Sequence, residues 1–195
     1  DYDREKHGYT SMIDVDSFVD YFIINELSSN ADAGNYSTYI YKGTDNLYRM
    51  WVWDFNNACN NYFEEELPYT GFFLNNRLWF EMLIKDEDFT ERIIQRYHSL
   101  REGLLSEESL YRYIDETLEF IGPALERNDA RWGSVEQQAK GLLVPASRNL
   151  DSRSAAEGQL KGYLRNRGEW LDENIETLRQ YSASSRVKQY NEVND

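Results

Sequence analysis

Cysteine is almost missing from this chain of 195 residues, and the one present, Cys59, has no partner for an internal disulfide. Cysteine usage therefore leaves the redox compartment open. Histidine is nearly as scarce, with His7 and His98 the only two. No Ser-His-Asp or Cys-His set, zinc spacing or Gly-rich phosphate loop is present. Basic residues are outnumbered, 21 Lys and Arg against 35 Asp and Glu, for a formal net charge of −14. A surface of that sign repels phosphate backbones, which proteins hold chiefly through Lys and Arg, so general nucleic-acid binding is not expected. An anionic small molecule would need a metal ion between itself and the protein. No apolar run approaches the roughly 18 residues of a membrane span. There is no signal peptide and no initiator Met, and the polar start at Asp1 reads as a piece of something longer.

What is abundant is aromatic. Five Trp, fifteen Tyr and nine Phe supply apolar area for one domain with a sizeable core. Residues 1–13 form a polar lead-in. From Asp14, a candidate N-cap, Val15, Phe18, Val19, Phe22, Ile23 and Leu27 fall on one helical face, and Ser28, Ser29 and Asn30 mark its end. Two aromatic and β-branched runs, about 36–42 and 47–53, flank a Gly- and Asn-containing connection and predict a β-hairpin. The stretch 57–73 is loop-like, Asn-rich and then acidic, and reads equally as a lid or platform beside a site and as a solvated connection.

The remainder is helical by period. The segment 77–84 is apolar nearly all round and is expected to be buried. Phe89, Ile93, Ile94, Tyr97 and Leu100 give 86–101 one face, and Ser106 opens a helix through Leu110, Ile114, Leu118 and Ile121, kinked or broken at Gly122 and Pro123. A helix near 134–142 follows Trp132. Ser154 and Glu157 fit a capping box that opens a last helix to about Tyr181, before a polar tail at 182–195. The fold class is mainly α with a small β-hairpin (α+β), and there is no internal repeat.

Folding the hairpin brings its outer ends together, so Asp32, Asn35, Asp54 and Asn56 would share one small volume. Two carboxylates and two amides make a hard, oxygen-rich site suited to Mg²⁺ carried by a phosphorylated ligand. Asp54 follows the apolar Met50, Trp51, Val52 and Trp53, where a carboxylate is costly unless compensated. A metal is one compensation and is preferred here; capping the following turn is the other. For Asp32, which follows a helix beside Gly34, an ordinary Asx turn is the plainer local reading, and a base touching a substrate hydroxyl is the alternative. Asn30 and Asp32 only faintly match a calcium loop, because the bidentate Glu at its end is missing. His7, His98 and Cys59 look incidental, and the glycosylation pattern at Asn35, Tyr36 and Ser37 falls inside the proposed site and is set aside.

These residues resemble those of the CotH-type spore-coat kinases, atypical relatives of the protein-kinase fold. The likeness begins at Ile13-Asp14-Val15-Asp16-Ser17-Phe18-Val19-Asp20-Tyr21. It continues through Asn30-Ala-Asp32-Ala-Gly-Asn35-Tyr36 and is strongest at Trp53-Asp54-Phe55-Asn56. Asp88-Phe89-Thr90-Glu91-Arg92, Arg131-Trp132-Gly133 and Leu164-Arg165-Asn166-Arg167 extend it across roughly 13–178. Each motif is short, and their order and spacing carry the match.

The resemblance implies transfer of the ATP γ-phosphoryl to Ser or Thr of a coat or surface protein. By motif, Asp32 is the catalytic acid that orients or deprotonates the hydroxyl. Asp54, at the place of the kinase Asp-Phe-Gly acid, holds Mg²⁺ (or Mn²⁺) against the nucleotide, and Asn35 is the metal-binding amide. Asn56 stands where the family commonly has a second acid, which removes a charge and weakens any second metal site. The resemblance also implies one helical C-terminal lobe over 1–181, inactive without a nucleotide-covering N-terminal lobe of the same protein. Placement outside the cell, at a cell or spore surface, comes from the same source. A different class remains open: a non-catalytic surface module, binding protein or glycan on a kinase-like scaffold. A structural calcium site is a third reading.

Overall fold

The computed structural model describes residues 8–134 and 141–182. Helix α1, Val15–Ser28, starts as expected at Asp14, whose carboxylate accepts the Ser17 amide at 3.1 Å. It stops where Ser29 turns left-handed at φ 46°. Phe18, Val19, Phe22, Ile23 and Leu27 are buried, and so are Tyr21, Asn25, Glu26 and Ser28. The second half of α1 is thus covered on all sides but that of Ile24, because the hairpin, α3 (Glu87–Arg101) and α5 (Arg153–Asn174) all pack against it. Asp86 caps α3 through the Asp88 amide at 3.0 Å. Phe80 lies at the centre of the core, stacked on Tyr21 at 5.9 Å between ring centres and tilted against Phe18, Phe22 and Phe89.

The hairpin pairs β1, Tyr39–Lys42, with β2, Tyr48–Trp51, antiparallel and in the register Tyr39 opposite Trp51 and Lys42 opposite Tyr48. Its strands are shorter than the sequence pattern indicates. Ile40 and Met50 face the core; Tyr39, Tyr41, Tyr48 and Trp51 face solvent. Arg49 closes the turn by gripping Asp45 with two hydrogen bonds, at 2.9 and 2.7 Å, and also reaches Asp14 at 2.9 Å. The hairpin is fixed to the start of α1 by the Asp14 amide on the Tyr48 carbonyl at 2.9 Å.

The segment 77–84 is not the buried helix its composition indicates. Only Phe80–Leu83 is helical (α2), and Leu78, Trp79 and Met82 are exposed. Leu78 has a φ of 48°, which no helix accommodates, so the helix starts only after it and the turn leaves Leu78 and Trp79 exposed. Helix α4, Glu107–Trp132, continues past Pro123 without a break and buries no residue completely. Its apolar stripe is half-buried, and its polar ties to α5 are Tyr111 on the Lys161 carbonyl, Lys161 with Asp115, and Arg153 with Asp129. The last helix is capped by Ser152, which accepts the Ala155 amide at 3.1 Å, and not by Ser154, which lies inside α5. A 3-10 turn, Ile175–Tyr181, completes it. Of the helix expected near 134–142, residues 135–140 lie outside the described residues and 141–142 form a turn.

The stretch 57–73 has no regular structure, yet it is tied along its length. Asn60 takes the Leu67 amide at 2.7 Å, Tyr163 donates to the Pro68 carbonyl at 3.0 Å, and Arg148 reaches the Asn60 carbonyl at 2.8 Å. The strongest tie is a buried ion pair. Arg167 of α5 and Glu26 of α1 are 0% and 1% exposed and meet at 2.7 Å. Arg167 also donates to the carbonyls of Glu26, Tyr69 and Gly71, and Glu26 accepts the amides of Phe73 and Leu74 at 2.9 and 2.6 Å. Burial pushes the Glu26 carboxyl upward, opposed by the Arg167 charge and those two amides. A charge pair this deep is tolerable only because its remaining lone pairs and protons are satisfied.

Candidate functional site

The site is built on the turn that follows α1. Asn25, buried in the helix, donates to the Tyr21 carbonyl at 2.8 Å and accepts the Asn30 carboxamide at 3.1 Å. Asn30 in turn accepts the Asp32 amide at 3.2 Å. The other side of the turn is held by Arg77, whose Nη1 donates to the carbonyls of Ala31 and Ala33 at 2.7 and 3.0 Å. Asp32 is thus bracketed by two clamped carbonyls. Gly34 has a φ of 79°, and a Cβ there would meet the Arg77 Cβ at 2.9 Å, so both backbone conformation and space require glycine. The Gly34 amide donates to Thr38 Oγ1 at 2.9 Å, which carries the chain into β1.

The segment after β2 returns to this turn. Asn57 donates from Nδ2 to Asp32 Oδ2 at 2.8 Å, and the Cys59 amide donates to the Ser28 carbonyl at 2.6 Å. The two polar segments therefore touch. Asp32 is half-buried, and its Oδ1 carries no hydrogen bond among the described residues. Asp54 is exposed, with a φ of 52°, and one of its oxygens accepts the Asn56 amide at 3.4 Å. Contrary to expectation, Asp54 pays no desolvation cost that a metal would have to offset, because Trp51, Val52 and Trp53 are exposed along with it. Asn35 and Asn56 are also exposed. No side-chain hydrogen bond among the described residues joins Asp54 or Asn56 to Asp32 or Asn35.

Tyr62 borders the site. Its hydroxyl donates to Glu64 at 2.7 Å, and that bond, with partial burial and the charges of Glu64, Glu65 and Asp32, holds the phenol above its usual value. His98 is exposed and 3.6 Å from Glu176, away from these residues in the fold; His7 lies outside the described residues. Arg77 and the Asn57 carboxamide also belong to this turn, and neither carries a local sequence signal. The composition of 77–84 indicates a buried helix, and the Arg77 contact depends on the shape of a turn far away in sequence. Asn57 did stand beside the quoted motif, so its position was visible and its partner was not.

Among the described residues, no three His, Cys, Asp or Glu side chains gather as a metal group. Mg²⁺ bound with a nucleotide requires less: one or two carboxylates, with phosphates and water completing the octahedron. An exposed carboxylate with one weak amide contact, flanked by amide side chains, fits that donor requirement.

The family model described as CotH kinase protein matches residues 2–171. The chain belongs to this family. No curated protein matches it. The CotH match contains every candidate residue above, and it gives the chain a kinase-like function at the level of the family, with ATP, a divalent metal and a protein substrate as the general requirements. No helix among the described residues is long and apolar enough to cross a membrane.

Proposed function

We propose that this chain is the catalytic lobe of a CotH-type protein kinase that transfers the γ-phosphoryl of ATP to a Ser or Thr hydroxyl of a protein at a cell or spore surface. The family match over 2–171, which spans both polar segments, supports this most directly. Asp32 accepts a proton from the acceptor hydroxyl while that oxygen bonds to the γ-phosphorus and the bond to the bridging oxygen of ADP breaks. Its hydrogen-bond-free Oδ1 suits that task. Asp54, Asn35 and Asn56 are the residues that would hold Mg²⁺, which when bound would supply positive charge to the phosphates. In the intact protein, Asp32→Ala and Asp54→Ala each abolish phosphate transfer to a coexpressed surface protein. Transfer retained by both variants defeats the assignment.

A second reading is favoured by the aromatic face of the hairpin. Tyr36 is 73% exposed, and Trp51 and Trp53 are each 56% exposed. Such a face suits a non-catalytic module that binds protein or glycan at a surface. Calorimetry of the intact protein with Mg²⁺ and ATP separates the two, since the module has no need to bind nucleotide.

A further inference from the structure

We infer that Asn57 is a positioning residue for Asp32, fixing which carboxylate oxygen meets the acceptor hydroxyl. This rests on the kinase reading just given. The backbone around Asp32 is already held: Arg77 clamps the carbonyls of Ala31 and Ala33, and Asn30 holds the Asp32 amide at 3.2 Å. What the backbone does not fix is the plane of the carboxylate, because the terminal torsion of an aspartate is broad and roughly two-fold. The Asn57 carboxamide removes that freedom by donating to Oδ2 at 2.8 Å. Among the described residues Oδ1 then has no hydrogen-bond partner, so one oxygen is occupied and the other is presented.

The donor is itself rigid. Ala58, next in the chain, is buried and donates to the Phe55 carbonyl at 3.1 Å, and the Cys59 amide is anchored on Ser28 at 2.6 Å. The chemistry of the donor also fits. A neutral amide orients a carboxylate without supplying a full positive charge, whereas Lys or Arg at the same distance would favour the ionised form and weaken it as a base. Asn57 belongs to the segment that begins with Asp54, so the same short loop that carries the metal ligand sets the base. Positional errors near 1 Å in a reacting group cost about 100-fold in rate, which sets the scale of the effect.

The test uses the intact protein with Mg²⁺, ATP and dephosphorylated casein as a generic acceptor. Asn57→Ala is expected to lower kcat by about 10- to 100-fold, leaving KM for ATP within about two-fold. Asn57→Asp, of the same size but with no donor, carries the test if the alanine variant is unstable, and is expected to lose at least as much. A wild-type kcat in either variant overturns the inference, as does a loss that appears in KM for ATP and not in kcat. If Asp32→Ala itself retains transfer, or the wild type transfers nothing, the kinase reading fails and takes this inference with it. Loss in Asp32→Ala with full activity in the Asn57 variants defeats the positioning role alone.

Discussion

Glu26 and Asp32 are acids a short distance apart at the same end of α1, and the molecule treats them in opposite ways. Glu26 is 1% exposed and saturated, with Arg167 and the amides of Phe73 and Leu74 all on its two oxygens. Asp32 is half-buried and has one side-chain donor, Asn57, leaving an oxygen unclaimed among the described residues. The difference separates two uses of a carboxylate. One joins α1, α5 and the loop at 69–74 into a single unit and has nothing left to give. The other is held by its backbone and keeps spare lone pairs for something outside the chain. Satisfied buried networks rigidify a core, whereas exposed acids with open valences are free to bind or react.

The comparison breaks most sharply at Arg167. Arg167→Met leaves Glu26 buried without its cation and is expected to cost about 3–5 kcal/mol in urea unfolding, with much of that recovered when Glu26→Gln is added. Next is the turn that carries Asp32. Gly34→Ala forces a side chain into a left-handed backbone against Arg77 and is expected to lower unfolding free energy by about 1–3 kcal/mol, read by thermal melting. A smaller effect belongs to Asp172, an acid between these extremes. Burial alone would raise its carboxyl, but hydrogen bonds from Arg101 and Tyr97 outweigh this and hold it below the usual range. A carboxyl lowered by folding stabilises above its unfolded value, near about 3.9, and loses that contribution as pH falls through its folded value. Asp172→Asn should therefore flatten part of the acid limb of a stability-versus-pH curve. The smallest change is expected at Asp32 itself: Asp32→Asn shifts unfolding free energy by no more than about 0.5 kcal/mol, as for a partly exposed residue outside the core.

Much of this frame was legible in the residues. The stripe of α1, its Asp14 cap, the face of α3 and the hairpin connection follow from periodicity and turn chemistry, and the observed elements sit where those signals lie. Local signals failed where a single backbone torsion or a distant partner decided the outcome. Leu78 at φ 48° undid a segment that composition alone makes helical, and Pro123 did not end α4 because that stretch of helix is largely exposed and its carbonyls can be hydrated. In the site, the chemistry-bearing residue types at 32, 35, 54 and 56 were visible, as was the prospect that the hairpin draws their segments together. The clamp of Arg77 and the bond from Asn57 were not, because each spans a long stretch of chain and neither has a local pattern. Glu26 did carry a faint signal, an acid among Ile24, Asn25 and Leu27, and its partner appeared only as part of the Leu164–Arg167 motif.

Cys59 gives the protein an internal reporter. Burial pushes its thiol up to about 12, so at neutral pH it stays protonated and slow to react. Its own amide is pinned to the end of α1, two residues beyond Asn57. A thiol reagent added to the native protein therefore labels this partly buried thiol slowly, and a nucleotide that settles into the neighbouring turn should slow that labelling further, without any assay of phosphate transfer.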